Sequence, residues 1–220
     1  MNSADRIAIL GASRGLGLEL TQVAQKWGEV LAISRRIEQS FALGSSGVKK
    51  LNADFSVSEG QQKALRALSE FAPTKIFYVA GGGPFGRFLE KDWSAHDWAL
   101  QVTFLFPAQM VHSLCKQYPK CQVVLVGSSV AENQGDPLAA SYSAAKHALL
   151  GLYRSIRLEA PELDLRLVSP GYMDTQMLPK TAEVRKKGVW DPKIVAQELW
   201  QWSLGPDIGG HKVYERHPSC

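Results

Sequence analysis

The chain has 220 residues, of which 45% are hydrophobic and 21% charged, the balance of an ordinary soluble globular protein. Disorder would need far fewer apolar residues, and a collagen-like chain would need far more than 19 glycines and 11 prolines. The net charge is only +4 and the basic residues are scattered, so a nucleic-acid-binding face is not predicted. No window approaches the roughly 18 uninterrupted apolar residues of a membrane span, and the N-terminal residues lack a signal-peptide core.

The cysteines and histidines predict neither disulfides nor a metal site. The three cysteines, Cys115, Cys121 and Cys220, cannot all pair, and none has CxxC spacing. This usage is typical of a reducing compartment, and a cytoplasmic location is expected. The five histidines show no metal-ligand spacing with cysteines or carboxylates, so no metal is expected.

Apolar runs alternate with amphipathic stretches along the whole chain. Strands are predicted at residues 6–10, 29–34, 47–53, 74–80, 121–127, 163–169 and 211–215. Helices are predicted at residues 15–27, 58–72, 92–118, 139–159 and 194–204, where apolar residues recur at helical spacing. Such alternation is typical of parallel strands joined by right-handed helical crossovers. We therefore predict one α/β domain over residues 1–220, a doubly wound Rossmann-type fold with a parallel sheet of about seven strands and helices on both faces.

The first predicted strand leads directly into a glycine-rich loop. Residues Gly11 to Gly17 read G-x-x-x-G-x-G. Small residues let the chain turn sharply out of the strand and let a pyrophosphate approach the backbone at the start of the next helix. Because a strand precedes the loop and a helix follows it, a dinucleotide site is favoured over a plain turn.

The end of the second predicted strand indicates which dinucleotide binds. An NAD site places an Asp or Glu there to bind the ribose 2′-hydroxyl. This chain has Ser34, Arg35 and Arg36 instead, and Arg14 stands inside the glycine loop. Guanidinium groups can bind a 2′-phosphate bidentately, whereas a carboxylate would repel it. NADP(H) is therefore favoured over NAD, although each arginine alone could be ordinary solvated surface.

A second group of residues suits proton transfer. The fifth predicted strand runs into Ser128 and Ser129, and Tyr142 and Lys146 follow at helical i, i+4 spacing on one face. A phenol with a pKa near 10 is a poor acid or base at neutral pH, and a nearby ammonium lowers that pKa. Such a pair is what proton exchange with a substrate oxygen needs.

At these residues the chain resembles the short-chain dehydrogenase/reductase family. The matching features are the Gly11–Gly17 loop, Ser129, the Tyr142-x-x-x-Lys146 pair, and Pro170-Gly171 with Thr175, in the family's order and spacing. The resemblance implies hydride transfer between a nicotinamide cofactor and a small carbonyl or alcohol substrate, with NADPH-driven reduction as the favoured direction. It also implies a homodimer or homotetramer built on the helices at 92–118 and 139–159. The scattered basic residues and the absence of a long apolar run predict no nucleic-acid or membrane partner.

The resemblance also implies roles for single residues. Tyr142 would be the acid/base, Lys146 would lower its pKa and bind the nicotinamide ribose, and Ser129 would hold the substrate carbonyl. Asp54 would lie beside the adenine, although Asp is equally a favoured helix cap. The other implied cofactor contacts are Gly11, Ser13, Arg14, Gly15, Leu16, Gly17, Ser34, Arg35, Arg36, Ala80, Gly81, Pro170, Gly171 and Thr175.

Two departures from the family pattern bear on function. After the fourth strand the family has Asn-Asn-Ala-Gly, where this chain has residues 78–81, Tyr-Val-Ala-Gly. Thr103 occupies the position of the family's catalytic Asn, whose bound water links the lysine to solvent. A Thr hydroxyl has a different reach and donor count, so a nucleotide-binding regulatory or scaffold protein with weak or no catalysis is the alternative.

The substrate end of the site carries no charge pattern that identifies a ligand. Phe85 and residues 172–190 are candidates for substrate contact, and Trp190 could either cover the mouth of the site or pack inside the protein. The segment between Thr175 and the helix at 194–204 is short. A thin lid over an open site is therefore expected.

Overall fold

The structure is a computed structural model that describes residues 5–39 and 47–218, so Cys220 lies outside the described residues. Within those ranges seven strands form one sheet. They are β1 (Asp5–Leu10), β2 (Gly28–Ser34), β3 (Val48–Asn52), β4 (Lys75–Tyr78), β5 (Gln122–Val126), β6 (Leu165–Ser169) and β7 (His211–Val213). Their order is β3-β2-β1-β4-β5-β6-β7, and every neighbouring pair is parallel. The predicted fold class is confirmed.

Six α-helices lie within the described residues. They are α1 (Gly15–Ala24), α2 (Ser58–Phe71), α3 (Trp93–Leu100), α4 (Phe106–Gln117), α5 (Ala140–Glu159) and α6 (Pro192–Ser203). The helix predicted at 92–118 is interrupted, because Gln101–Leu105 forms a π-helical segment between α3 and α4. A π segment holds one extra residue per turn and is common at functional sites.

Hydrophobic side chains cover both faces of the sheet. On one face, strand residues pack with Phe106 of α4 and Leu149 and Tyr153 of α5. On the other face, they pack with Leu20 of α1 and the fully buried Trp200 of α6. Successive strand side chains point to opposite faces, so a parallel sheet covered on both sides reads as a nearly continuous apolar run.

The strand order changes direction at β1, which places a crevice at one edge of the sheet. Leu10 at the end of β1 pairs with Ile33 of β2 on one side and with Tyr78 of β4 on the other. The loops that follow β1 and β4 therefore leave the sheet in opposite directions. In open α/β sheets, ligands bind in such a crevice at the carboxyl ends of the strands.

The segment after β7, residues 214–218, packs against the loop that follows β6. The Tyr172 N–H donates to the Arg216 carbonyl at 2.8 Å, and the Trp190 N–H donates to the Tyr172 carbonyl at 2.7 Å. The Trp190 indole donates to the Glu215 carbonyl at 2.9 Å, and its ring lies edge-on to that of Tyr214, with the centroids 5.3 Å apart. Of the two interpretations open for Trp190, the structure supports packing.

None of the helices among the described residues has the length and hydrophobicity needed to cross a membrane.

Candidate active site

A cavity of about 640 Å³ lies at the carboxyl ends of the central strands. All of the predicted site residues except Thr103 line it: Gly11, Ser13, Arg14, Gly15, Leu16, Gly17, Ser34, Arg35, Arg36, Asp54, Ala80, Gly81, Ser129, Tyr142, Lys146, Pro170, Gly171 and Thr175. Phe85 and residues 172–173 and 176–179 also line it. The glycine loop and the Tyr142–Lys146 pair therefore face one shared space.

The glycine loop is packed so tightly that two of its positions exclude a side chain. Gly11 has φ of 95°, and a Cβ there would lie 2.5 Å from the Ala80 nitrogen. A Cβ on Gly17 would overlap the Gly11 carbonyl oxygen. The helix α1 that follows has no side-chain cap at Arg14, so its first N–H groups remain available for an anion in the cavity.

The adenosine end of the cavity is polar and basic. The hydroxyls of Ser13 and Ser34 are 2.9 Å apart. The guanidinium of Arg35 lies 3.7 Å from the carboxylate of Asp54, and both side chains are partly exposed. Asp54 also accepts the N–H of Ser56 at 3.0 Å and its hydroxyl at 2.7 Å. Burial raises the pKa of Asp54, but the bonds from Ser56 and the charge of Arg35 outweigh it and leave this pKa lowered.

Asp54 does not cap α2, whose N-cap is Val57 and which has no side-chain cap hydrogen bond. The bonds from Ser56 form a local turn ahead of that helix, and the Asp54 side chain lines the cavity.

The loop after β6 reaches across the cavity to the glycine loop. Arg14 donates to the side-chain oxygen of Gln176 at 3.3 Å. A Cβ on Gly15 would lie 3.1 Å from the methyl group of Thr175. The segment after β6 therefore touches the opposite wall of the cavity through Arg14.

Lys146 is almost fully buried, with 2% of its surface exposed. Its Nζ donates to the Val126 carbonyl at 2.6 Å and lies 5.5 Å from the centre of the Tyr142 ring. A Cβ on Gly81 would come within 3.1 Å of that Nζ, so glycine leaves room for the ammonium group. Burial lowers the pKa of Lys146 to about 7.

The pKa of Tyr142 departs from the expected direction. Burial raises it, a hydrogen bond from Ser128 lowers it, the carboxylate of Asp136 raises it, and the resulting pKa is about 12. Burial dominates at the phenol. A lowering of this pKa by Lys146 stays a prediction.

Ser128, which is not among the predicted site residues, acts on Tyr142 through a hydrogen bond that lowers the pKa of the phenol. Its Oγ accepts the Val130 N–H at 3.3 Å, which leaves the hydroxyl proton free to donate to the phenol oxygen. Ser129 begins a short 3₁₀ turn (Ser129–Ala131), is nearly buried, and donates its N–H to the Pro170 carbonyl at 2.8 Å. The family resemblance gave the carbonyl-holding role to Ser129 and no role to Ser128.

Thr103 lies behind the cavity wall, in the π segment, and is fully buried. Its Oγ1 accepts the Gly82 N–H at 3.0 Å and donates to the Gly82 carbonyl at 3.1 Å. Both hydrogen-bonding roles of the hydroxyl are therefore used on one residue of the loop after β4. Thr103 therefore fixes the position of that loop through its side-chain hydroxyl.

Across the described part of the chain, no three His, Cys, Asp or Glu side chains are grouped so that they could hold a metal ion.

Comparison with known proteins identifies the family. The family model for short chain dehydrogenase matches residues 5–186. A Dehydrogenase/reductase SDR family protein 7-like from Dictyostelium discoideum is 26% identical over 187 residues, which is 77% of this chain and 59% of that protein. Hydroxysteroid 11-beta-dehydrogenase 1-like protein B from Xenopus laevis is 27% identical over 188 residues, or 78% of this chain and 64% of that protein. The chain thus spans about six-tenths of the length of these relatives.

Solved structures agree with the architecture. A 4-hydroxyisoleucine dehydrogenase complexed with NADH superposes with a TM-score of 0.84 at 19% identity, covering 97% of this chain and 98% of that chain. A short chain dehydrogenase from Burkholderia cenocepacia J2315 in complex with NADP gives 0.83 at 19% identity, covering 98% of both chains. At this identity the likeness concerns the fold alone. With the family model matching most of the sequence and the sheet as described, the chain belongs to the short-chain dehydrogenase/reductase family.

Proposed function

We propose that this chain is an NADP(H)-dependent oxidoreductase that transfers a hydride between a nicotinamide cofactor and the carbonyl or alcohol carbon of a small substrate, with reduction favoured. The observation that carries the proposal is the position of Tyr142, Ser128 and Lys146 on the wall of the same cavity as the glycine loop. When bound, the nicotinamide supplies or accepts the hydride.

The residues present fit such a cofactor. The crowded backbone at Gly11 and Gly17 allows a pyrophosphate close to the start of α1. Arg14, Arg35 and Arg36 line the cavity at the end where a 2′-phosphate would lie, and their charge favours NADP(H) over NAD. One similar solved structure holds NADP and another holds NADH, so the fold alone does not select the cofactor. The three arginines of this chain are what favours NADP(H) over NAD.

The chemistry at the substrate end follows from three side chains. In reduction, Tyr142 donates its proton to the carbonyl oxygen as hydride reaches the carbonyl carbon, which yields the alcohol and leaves a phenolate to be reprotonated. Ser128, rather than the predicted Ser129, donates a hydrogen bond to the same oxygen; its contact with Tyr142 supports this assignment. Lys146, with a pKa of about 7, can exchange a proton near neutral pH.

A nucleotide-binding protein without catalysis remains the second candidate. It is favoured by Thr103, which stands in the place of the family's catalytic Asn and is engaged with Gly82. The presence of both Tyr142 and Lys146 in the cavity wall argues for an enzyme.

The decisive experiment replaces Tyr142 with Phe and follows NADPH oxidation against a panel of ketones and aldehydes. Loss of the proton donor should lower turnover by about 10²–10⁴-fold while NADPH affinity, measured by fluorescence titration, is retained. The control is Tyr118→Phe, since the Tyr118 hydroxyl donates to the Ser69 carbonyl outside the cavity. Unchanged turnover in Tyr142→Phe would refute the proposal that Tyr142 is the proton donor of a carbonyl reductase. Tight NADPH binding by the wild type with no carbonyl turned over would favour the second candidate.

We also propose a single domain, a cytoplasmic location and a homodimer or homotetramer. The single sheet that joins residues 5 to 213 supports a single domain. The free thiols of Cys115 and Cys121 support a reducing compartment.

The oligomeric state is a separate question. Leu149, Leu150 and Tyr153 of α5 are buried within this one chain and therefore do not supply an interface. Light scattering of the purified protein measures the mass of the assembly in solution. A mass of one subunit would refute the proposed dimer or tetramer.

A further inference from the structure

Glu132 directly follows the turn at the end of β5, and its carboxylate is nearly buried. This serine turn (residues 127–131) carries Ser128 and Ser129, and most of it lines the cavity. The Glu132 side chain does not line the cavity, and only 10% of it is exposed. A carboxylate removed from water needs hydrogen-bond donors in place of its hydration. The donors that surround Glu132 therefore show which parts of the chain it joins.

The first donor is Ser169, the last residue of β6, which is fully buried. Its hydroxyl donates to Oε1 of Glu132 at 2.6 Å. A Cβ on Gly127 would lie only 2.8 Å from the same hydroxyl oxygen, so this oxygen lies against the first residue of the serine turn. The Ser129 N–H adds a second link, to the Pro170 carbonyl at 2.8 Å. The serine turn is therefore held on the end of β6 at its start, in its middle and at the residue that follows it.

Two further groups contact the carboxylate from β7 and α5. Nε2 of His211 lies 2.8 Å from the same Oε1, and it carries the hydrogen, since an ionised carboxylate only accepts. Nη2 of Arg154 lies 3.8 Å from Oε2 of Glu132. Arg154 belongs to α5, the helix that also carries Tyr142 and Lys146. One nearly buried side chain thus joins the serine turn to the end of β6, to β7 and to the helix of the proposed acid/base.

The place of the serine turn matters for the reaction, because its Ser128 hydroxyl is the proposed donor to the carbonyl oxygen. A displacement of about 1 Å in a catalytic group can cost about 10²-fold in rate, even when its cause lies away from the reacting atoms. Glu132 lies outside the cavity wall, so its influence on the reaction passes through the turn that it holds.

We propose that Glu132 is a positioning residue for carbonyl reduction, which holds the serine turn on the end of β6 and so sets the place of the Ser128 hydroxyl. This inference rests on the proposed function, because the place of that hydroxyl affects a rate only if the protein reduces a carbonyl.

The test is a double-mutant cycle on kcat for NADPH-dependent carbonyl reduction. In the otherwise wild-type chain, Glu132→Ala lowers kcat by about tenfold or more and retains NADPH affinity, because the serine turn loses its contact with Ser169. In a Ser128→Ala background the same change has little further effect, since the group that Glu132 positions is already gone. An equal loss in both backgrounds would overturn the proposal, because a general structural defect acts whether or not the Ser128 hydroxyl is present. An active wild type with no loss in Glu132→Ala would overturn it as well.

Two further variants separate positioning from loss of structure. Glu132→Gln keeps an oxygen that can accept from Ser169, so it should restore most of kcat. Glu198→Ala is the matched control, because Glu198 accepts from the Tyr214 hydroxyl at 2.8 Å and lies 3.8 Å from Nζ of Lys212, on and after β7. These contacts do not include the serine turn, so Glu198→Ala should leave kcat unchanged. A loss in this control as large as that in Glu132→Ala would overturn the proposal.

If Glu132→Ala does not fold, Ser169→Ala replaces it in the cycle. It removes the same hydrogen bond from the side of β6, and its effect on kcat should likewise disappear in the Ser128→Ala background. Equal losses in both backgrounds would again overturn the proposal.

A second readout needs no turnover. Tyrosines are labelled with ¹³C at the ring carbon that bears the oxygen, and Tyr142→Phe identifies the Tyr142 signal, which responds to the hydrogen bond from Ser128. Glu132→Ala should move this signal in the direction in which Ser128→Ala moves it, and Glu198→Ala should leave it in place. An unmoved signal in Glu132→Ala would overturn the role of Glu132. A moved signal in a protein that reduces no carbonyl would refute the proposed function alone.

Discussion

At the scale of single residues, Ser128 and Ser129 form a matched pair of neighbours with different environments. Ser128 donates to Tyr142, whereas Ser129 is nearly buried and its N–H bonds to Pro170. We expect Ser128→Ala to lower kcat for carbonyl reduction by about tenfold or more, because a charge-stabilising donor to the carbonyl oxygen is lost. Steady-state kinetics with NADPH check this.

Ser129→Ala is the control for that measurement, and it should leave kcat within about threefold of the wild type. A larger loss of activity in Ser129→Ala than in Ser128→Ala would refute Ser128 as the donor to the carbonyl oxygen. Both variants should bind NADPH as the wild type does, since the change lies at the substrate end.

Single residues also show where sequence reasoning was limited. The glycine loop, Tyr142 and Lys146 could be predicted because their spacing is local and their chemistry is distinctive. The contact of Asp136 with Arg216 could not, because the two residues come together only through packing of the segment after β7 against the loop after β6. The raised pKa of Tyr142 depends on burial, which no motif reveals.

At the scale of elements, the π segment Gln101–Leu105 fixes the loop after β4 through Thr103. Thr103→Val keeps the shape of the side chain but leaves the buried Gly82 N–H and carbonyl without this partner. We expect a loss of about 1–3 kcal/mol in the free energy of unfolding, measured by urea denaturation.

Thr103→Ser provides the comparison, because it keeps the hydroxyl and removes only a methyl group. It should lose less stability than Thr103→Val does. Wild-type stability in Thr103→Val would show that the hydroxyl contacts contribute nothing to the fold.

The sequence predicted the strands and helices but not the π-helical segment that interrupts one helix. Each predicted strand is present, because a sheet covered on both faces requires continuous apolar runs that are visible in the sequence. The π segment was not predicted, since one extra residue in a helical turn changes neither composition nor apolar spacing enough to be seen.

At the scale of the whole molecule, the burial of Lys146 links stability to pH. Its pKa is about 7 in the folded chain and near 10.5 when unfolded, so between these values the unfolded state binds more protons. Stability of the cofactor-free protein should therefore rise with pH from 7 to 9, by at most about 1.4 kcal/mol per pH unit from this group.

Urea denaturation at pH 7, 8 and 9 of the wild type and Lys146→Met measures this contribution. The difference between the two proteins isolates Lys146, because other buried groups titrate in both. The raised pKa of Cys121, about 12, acts in the opposite direction above pH 9 and is shared by the two proteins. Parallel pH dependences would show that burial does not lower the pKa of Lys146.

The order of strands in the sheet also has a kinetic consequence. β1 is the first of the described strands, yet one of its two partners is β4, which follows only after β2, β3 and α2. Closing so long a loop costs entropy before its contacts form, and such non-local parallel pairing is slow. The crevice between the loops after β1 and β4 should therefore be completed late in refolding. A nucleotide that binds only the completed crevice would slow unfolding far more than it speeds folding.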